Sequence, residues 1–352
     1  MRIPIGSFTF IPKTFLGVDI GTSSIKVVEL YRWGDRRSLK NYGELEIKSM
    51  YKKPFRTLDK NAPLLERSDI SKALRALLQE AHIEGKQAIF SIPDFSSFFT
   101  NFELPPMTKK ELSDAVAFEA RRHIPVPLSE VVFNWQVIEG KYDQKTPLSI
   151  LMVAVPNEVV AQYQEIAKGA GLQLVALEAE VFGLIRSCVR EDERPIAILD
   201  IGTQSTAINV AFKGSLRISH SFDIAGNTLT ERIAKSLSID YESAQREKVT
   251  KGMTGDHGPI LSPLIDMIIL EVEKIAESFQ ESKGRSIEKI ILGGGSAKLL
   301  GLREYVQQNM QKEVEVSNPF LSIYYPPILE QTIQEIGPSY AVSVGMALRG
   351  LE

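Results

Sequence analysis

A chain of 352 residues is long enough to bury a large core and to divide into about two domains. Apolar content of 43%, charged content of 24% and a net charge of −3 are those of an ordinary globular protein, and they give no support to a general nucleic-acid footprint. The single Cys188 excludes an intrachain disulfide and a multi-cysteine zinc site, and it fits a reducing compartment.

Cys188 has apolar neighbours and reads as a core residue. His82, His123, His220 and His257 are scattered, without metal-ligand spacing. No apolar run reaches about 18 residues, so no membrane-crossing helix is expected. Nothing near Met1 resembles a secretory signal.

Residues 1–14 carry Pro4, Gly6 and Pro12 and read as a loosely attached arm. Phe15 to Ile20 is a short buried strand. It ends in Gly21, Thr22, Ser23 and Ser24, after which Ile25 to Leu30 resumes as a second strand, making a hairpin. Gly21 lets a ligand approach the backbone, and the N–H and hydroxyl groups of the turn can donate to phosphate oxygens. Asp19, at the strand end, would repel phosphate unless a cation lay between them, so it suggests a Mg²⁺ site.

Gly43 to Tyr51 reads as a third strand, residues 52–68 as a proline-interrupted polar stretch, and 71–81 as an amphipathic helix capped by Ser68 or Ser71. Ala88 to Ile92 is a buried strand. From 92 to 174 the pattern describes a compact inserted unit of two helices and three strands. It contains the aromatic strand Phe95 to Leu104 and a helix to Arg122 opened by a Thr108–Glu111 capping box. Strands at Val131 to Glu139 and Leu148 to Val155 follow, then a helix from Glu158 to Gly169. Arg121, Arg122 and His123 form its basic cluster, which suits a solvated helix C-terminus.

Leu172 to Leu177 reads as a strand and Glu180 to Val189 as a helix. Ile196 to Ile208 then repeats the opening motif. Asp200, Gly202, Thr203 and Ser205 match Asp19, Gly21, Thr22 and Ser24 at an offset of about half the chain. Such a repeat implies a duplicated fold with two phosphate loops facing each other. Gly226 closes a three-strand meander over 196–222 and is expected to face the ligand. Helices follow at 228–237, 241–249 and 261–282. The strand Ile287 to Leu292 runs into Gly293, Gly294, Gly295 and Ser296, where the backbone must approach something flat or charged, a natural seat for a nucleobase and ribose. Helices over 299–310 and 338–348 close the chain.

These residues resemble the actin-like ATPase superfamily, which includes actin, sugar kinases, heat-shock chaperones and FtsA. The resemblance implies an α/β, duplicated ribonuclease-H-like fold: two lobes around a nucleotide cleft, with an FtsA-like inserted subdomain in the first lobe. It implies one subdomain at 15–91, 175–193 and 337–352, the insert at 92–174, a third at 194–227 and 286–336, and a fourth at 228–285. ATP with Mg²⁺ is the implied ligand, with Asp19 and Asp200 on the metal side. The first phosphate loop would be Asp19 to Ser24 with Lys26, the second Asp200 to Ser205 including Gln204, and the adenosine loop Gly293 to Ser296. Gln245 and Lys248 fall in A-Q-R-E-K, which is similar to the ribose- and base-contacting helix, with Gln245 in place of the usual acid. Glu180 stands for the glutamate of the first connecting helix, followed here by Val181 rather than proline. Glu180 and Gln204 are the candidates for orienting a hydrolytic water.

Within the superfamily the chain resembles the PilM family of type IV pilus assembly. D-I-G-T-S-S-I-K-V-V-E-L, L-P-P-M-T-K-K-E-L, F-E-A-R-R-H-I-P-V-P-L-S-E-V, A-V-P-N-E-V-V-A-Q-Y, L-G-G-G-S-A-K-L-L-G-L, S-N-P-F and V-G-M-A-L-R carry the resemblance. It implies a cytoplasmic ATP-binding protein, peripheral at the inner membrane. Its partner would be the N-terminal peptide of a PilN-type inner-membrane protein, held between the insert and the first large subdomain. Phe98 or Phe99 is expected to anchor that peptide and Arg121 and Arg122 to take its acidic groups. Other pilus inner-membrane components, a homo-oligomer and a related type II secretion setting are further implied partners and contexts, as is ATP turnover that is slow at most. An FtsA-like tether is disfavoured by the ending at Leu351-Glu352, where a linker and an amphipathic helix would follow. A sugar or acid kinase would need a base such as Asp223, with no substrate-loop signature beside it.

Overall fold

The computed structural model describes residues 13–47, 67–142 and 145–352. The chain opens with a β-meander of β1 (Lys13–Ile20), β2 (Ser24–Trp33) and β3 (Arg36–Glu46). Helix α1 (Arg67–Glu80) leads to β4 (Gln87–Ile92). Next come β5 (Phe98–Leu104), α2 (Lys109–His123), β6 (Val131–Glu139) and β7 (Leu148–Pro156). Helix α3 (Asn157–Ala170), β8 (Gln173–Ala179) and α4 (Glu180–Leu184) complete the first half. The second half begins with β9 (Ile196–Ile201), β10 (Thr206–Phe212) and β11 (Ser215–Phe222). It continues through α5 (Gly226–Leu237), α6 (Tyr241–Lys251) and α7 (Gly258–Lys283) to β12 (Lys289–Gly293). Helix α8 (Leu302–Met310), β13 (Glu313–Val316), α9 (Glu330–Ile336) and α10 (Ala341–Leu351) end it.

The two large sheets have one topology. The first is ordered β3-β2-β1-β4-β8 and the second β11-β10-β9-β12-β13. In each, an antiparallel meander supplies three strands and two parallel strands extend the sheet from the first strand of the meander. The inner parallel strands are buried on both faces and therefore read as continuous apolar runs, I-A-I-L-D-I and K-I-I-L-G among them. Their C-terminal ends line the crevice where ligands bind in such sheets.

The first sheet packs α1 and α3 on one face and α10 on the other, and the second packs α5 and α7 on one face. Leu16, Val18, Leu74, Leu77, Phe90, Tyr163 and Ile166 form the core of the first, and Leu199, Val210, Leu229, Ile265, Phe279 and Leu292 that of the second. Between the sheets, Ile89, Leu184, Ile196, Ile198, Ile291 and Met346 form a joint core. Gly183 and Gly345 meet backbone to backbone there, so α4 and α10 lie closer than any side chain at those positions would permit. Strands β5, β7 and β6 form a separate three-stranded sheet whose one face packs on α2 through Phe102, Leu112, Val116 and Ile150. No helix among the described residues is long and apolar enough to cross a membrane.

Three sequence expectations shift. The third strand starts at Arg36 rather than Gly43, because Gly34 and Asp35 make a two-residue hairpin turn with Gly34 at φ +59°. The rest of that expected strand, and most of the polar stretch after it, lie outside the described residues, as does most of the expected N-terminal arm. The helix expected as the second of the inserted unit is α3. It buries Tyr163, Ile166 and Ala167 with α1 in the core of the first large sheet, and its Tyr163 ring meets Phe90 edge-on. The helix expected over Glu180 to Val189 is one α turn followed by a π turn, Ile185–Val189, that ends at Arg190 with φ +54°.

Candidate functional site

The repeated motif folds into two matching turns. Gly21 N–H donates to the Ser24 carbonyl at 2.9 Å, and Gly202 N–H to that of Ser205 at 3.0 Å. A Cβ on Gly21 or Gly202 would press on that same carbonyl, at 3.0 and 2.9 Å. Asp19 and Asp200 each stand one residue before the end of their strand, at the C-terminal edge of the parallel part of each sheet.

The surroundings of the two carboxylates differ. Asp19 is buried, and its Oδ1 accepts the Ser91 hydroxyl at 2.7 Å from the end of β4. Lys26 lies opposite Asp19 across the hairpin, with Glu44 next in the row on β3. Lys26 Nζ donates to Ser24 Oγ at 2.6 Å and pairs with Glu44 at 3.2 Å. Ala207 lies opposite Asp200 on one side and Gly293 on the other. Gly294, at φ +81°, wraps that carboxylate, since a Cβ there would sit 2.6 Å from Asp200 Oδ1 and 2.5 Å from the Ile201 carbonyl. A Cβ on Gly295 would meet nothing. Of the glycine run, Gly293 and Gly294 serve the packing of Asp200, and Gly295 faces open space.

The two turns meet: Thr203 Oγ1 donates to Ser23 Oγ at 2.8 Å. The start of α5 docks on the second turn, with Gly226 N–H donating to the Gly202 carbonyl at 3.0 Å and Asn227 N–H to that of Thr203 at 2.8 Å. A Cβ on Gly226 would lie 2.9 Å from Ser296 Oγ, 3.1 Å from the Gly202 carbonyl and 3.5 Å from Lys248 Nζ. Four predicted residues from four different elements thus converge on one small volume. Lys248 is buried in it. Its Nζ donates to the Gly226 carbonyl at 2.9 Å, and burial pushes its ammonium down to about 8.

Gln204 Oε1 is buried with no hydrogen-bond partner. Gln245 Oε1 accepts the Thr230 hydroxyl at 2.7 Å and so ties α6 to α5. Glu180 begins α4 where β8 ends, at the same edge of the first sheet as Asp19, and the next residue's N–H donates to Asp94 Oδ1 at 3.2 Å. Thr22 is half-buried in the first turn. Among the described residues no group of three or more His, Cys, Asp and Glu could hold a metal alone. Sequence reasoning passed over Ser91; its signal was a hydroxyl inside the otherwise apolar run A-I-F-S-I.

The expected peptide anchors are occupied. Phe98 packs in the core beneath α2, and Phe99 packs against the core between the large sheets, its ring 6.3 Å from that of Phe182. Strand alternation sends consecutive residues to opposite faces, and both faces here are covered. Arg122 pairs with Glu119 and Arg121 is exposed. Exposed apolar side chains on the edge strands nearby include Val132 on β6 and Val175 on β8, 54% and 47% exposed. Val175 is the extra residue of a bulge in the β4–β8 pairing, and α3 touches both edge strands.

A family model described as type IV pilus assembly protein PilM matches residues 17–351. Among solved structures, a PilM-PilN type IV pilus biogenesis complex superposes with a TM-score of 0.81 at 27% identity, covering 96% of this chain and 98% of that one. The ethanolamine utilization protein EutJ of Carboxydothermus hydrogenoformans shares the fold, with a TM-score of 0.57, 18% identity, and coverage of 96% of this chain and 90% of that one. The cell division protein FtsA of Staphylococcus epidermidis is 23% identical over 216 residues, 54% of this chain and 46% of that protein. The chain therefore spans about half the length of the first curated relatives it matches.

Proposed function

The chain belongs to the PilM family of type IV pilus assembly proteins, and from that premise we propose that its cleft binds ATP with Mg²⁺ while its inserted sheet helps to hold a PilN-type peptide. The observation that carries the nucleotide reading is the pair of matched turns in hydrogen-bond contact, flanked by the volume where Gly226, Lys248, Ser296 and Gly202 converge. Backbone N–H groups and the hydroxyls of Thr22, Ser23, Ser24, Thr203 and Ser205 are donors for phosphate oxygens. Lys26, held by Ser24 and Glu44, supplies fixed positive charge behind the first turn. In this reading Lys248 and Ser296 take the ribose and base, with Gly295 giving them room.

The donor set fits Mg²⁺. This ion keeps several waters and takes one or two carboxylates plus phosphate oxygens, so Asp19 and Asp200 suffice where no three-acid cluster exists among the described residues. When bound, the ion would offset phosphate charge. The orphaned Gln204 Oε1 is an acceptor free to take a water, and Glu180, at the end of β8 in the first sheet, is a second acceptor. Two weakly placed acceptors and no committed base suit slow turnover at most.

The neighbouring complex pairs PilM with PilN. For this chain we place the peptide along the free edges of β8 and β6, where Val175 and Val132 are exposed and unpaired backbone permits strand addition. That partner would bring the protein to the cytoplasmic face of the inner membrane. The test is a fluorescent Mg-ATP titration with a parallel pull-down by a PilN-type N-terminal peptide. Saturable binding of both is expected, with Val175→Asp losing the peptide and keeping the nucleotide. Rapid ADP release with a small sugar or acid acceptor would instead move the protein to the kinases.

A further inference from the structure

The inserted sheet meets the second lobe across a crevice of about 210 Å³, lined by Asn101, Ile138 and Ser149 from one side and by Arg217, Ser282 and Lys283 from the other. A bulge in the β6–β7 pairing leaves Ile138 unpaired and sets Glu139 opposite Ser149, which turns Glu139 toward the second lobe. Its Oε2 lies 3.3 Å from Arg217 and 3.4 Å from Lys283, so one carboxylate oxygen serves two cations. Asn101 Nδ2 donates to the Arg217 carbonyl at 2.5 Å, tying edge strand β5 to edge strand β11.

Arg217 is the unusual member. Its side chain is 2% exposed, and none of its three guanidinium nitrogens makes a well-aligned hydrogen bond. Lys213, Arg217 and Arg285 all lie over the Phe212 ring, at 5.4, 5.4 and 5.3 Å. The second-lobe wall of the crevice carries two cations, Arg217 and Lys283, against Glu139 and the exposed Glu103 of the insert. A buried guanidinium left short of partners is strongly destabilising unless something else accepts its protons. Burial pulls its pKa below the ordinary arginine value, the direction expected for under-compensated positive charge.

The geometry points to an anion site in this crevice, where a small oxyanion, carboxylate or phosphate, takes the place of the Glu139 carboxylate at the buried, under-partnered guanidinium of Arg217, with Lys283, Ser149 and Ser282 as further donors. The guanidinium fork matches either oxyanion with two parallel hydrogen bonds. Its walls come from the insert and from the second lobe, so an occupant clamps the one to the other. The site is separate from the nucleotide cleft and does not depend on it.

Isothermal titration and thermal unfolding with inorganic phosphate and with malonate, at constant ionic strength set by chloride, test the site. Phosphate bound at the cleft survives Arg217→Met, so the Arg217-dependent part of the heat is the readout. Wild type is expected to bind one of the two probes saturably, Arg217→Met to lose that binding, and Arg217→Lys to weaken it about tenfold through loss of the fork. Glu139→Gln, which removes the competing carboxylate, is expected to tighten it by about tenfold. The probe that binds tighter distinguishes a phosphate from a carboxylate ligand. Absence of saturable binding in both wild type and Glu139→Gln, or equal binding in Arg217→Met, overturns the site and leaves the crevice to water. Should Arg217→Met fail to fold, unchanged or weaker binding in Glu139→Gln overturns it alone.

Discussion

The hairpin turn at Gly21 and the hairpin turn at Gly202 share a backbone and differ in everything around it. Both close with the same glycine N–H to serine carbonyl bond, and both end a strand that carries an aspartate. Around the first, charge is locked in place: Asp19 by Ser91, Lys26 by Ser24 and Glu44. Around the second, the space is kept open by Gly226 and Gly295, and Lys248 is buried there with its Nζ on the Gly226 carbonyl. Duplication supplied the donors twice. Divergence then made one copy a rigid electrostatic wall and the other the lining of a groove.

The sharpest test of that shared inheritance is the aspartates. Asp19→Ala and Asp200→Ala are each expected to weaken Mg-ATP binding by about 100-fold, the size of a lost charged contact of roughly 3 kcal/mol. Folding by circular dichroism should persist. An effect confined to one of the two, in a fluorescent-nucleotide titration, breaks the equivalence of the copies.

The glycine run separates groove from scaffold. Gly295→Leu projects into open space and is expected to weaken nucleotide binding by about 30-fold, with the melting temperature unchanged. Gly294→Val forces a β-branched residue to φ +81° and against Asp200, so it should destabilise the fold by about 1–3 kcal/mol. Gly294→Val therefore reports on the packing of Asp200, and Gly295→Leu on the pocket. Equal melting temperatures for the two variants would reverse this division.

Lys248 distinguishes the second copy by its pH response. Its folded pKa, about 8, lies below its ordinary 10.5, so between these values the unfolded chain holds the extra proton. Stability of the nucleotide-free protein from this group therefore rises with pH across that window, and below about 8 the group is a net burden. Lys248→Met should stabilise the nucleotide-free protein at neutral pH by up to about 3 kcal/mol while weakening Mg-ATP about tenfold. Wild-type affinity should fall as pH passes 8, and that of the methionine variant should not. Urea unfolding and nucleotide titration from pH 7 to 10 check both signs.

How much of this was legible in the sequence depends on whether the information is local. The duplicated D-I-G-T turns, the apolar strands before them and the half-chain offset are local, and the topology they imply is the one observed. Gly226, Lys248, Ser296 and Gly202 were each visible as residue types suited to a ligand. Their convergence was not, since it is made by the docking of α5 on the second turn and of α6 on α5. The inserted unit was less legible. Its strands were visible, but α3 has the composition of any amphipathic helix, and only tertiary packing assigns it to the first large sheet. The aromatic strand gave no sign that Phe98 and Phe99 pack against two different cores, because alternation shows which residues share a face and not what covers it. Arg217 lies in S-L-R-I-S-H-S-F, where one arginine on an edge strand reads as solvated; its burial comes from a strand more than a hundred residues away.

The smallest expected effect bears most directly on how the two copies work together. Ser23 and Thr203 join the turns through one exposed hydroxyl pair at 2.8 Å, a contact of roughly 0.5–1 kcal/mol. If phosphates sit between the turns, those hydroxyls must leave each other and donate to phosphate oxygens instead. Each of Ser23→Ala and Thr203→Val then loses one donor to the nucleotide but no longer has to break the bond between the turns, so affinity should fall only about threefold. The informative quantity is the coupling between the two positions in a double-mutant cycle. In the nucleotide-free protein, unfolding of the four cycle members should give a coupling near the value of the bond. With saturating Mg-ATP it should vanish, because the hydroxyls then have separate partners. A coupling that survives saturation means that the turns stay joined in the bound state, and the phosphates then lie beside the pair and not between its members.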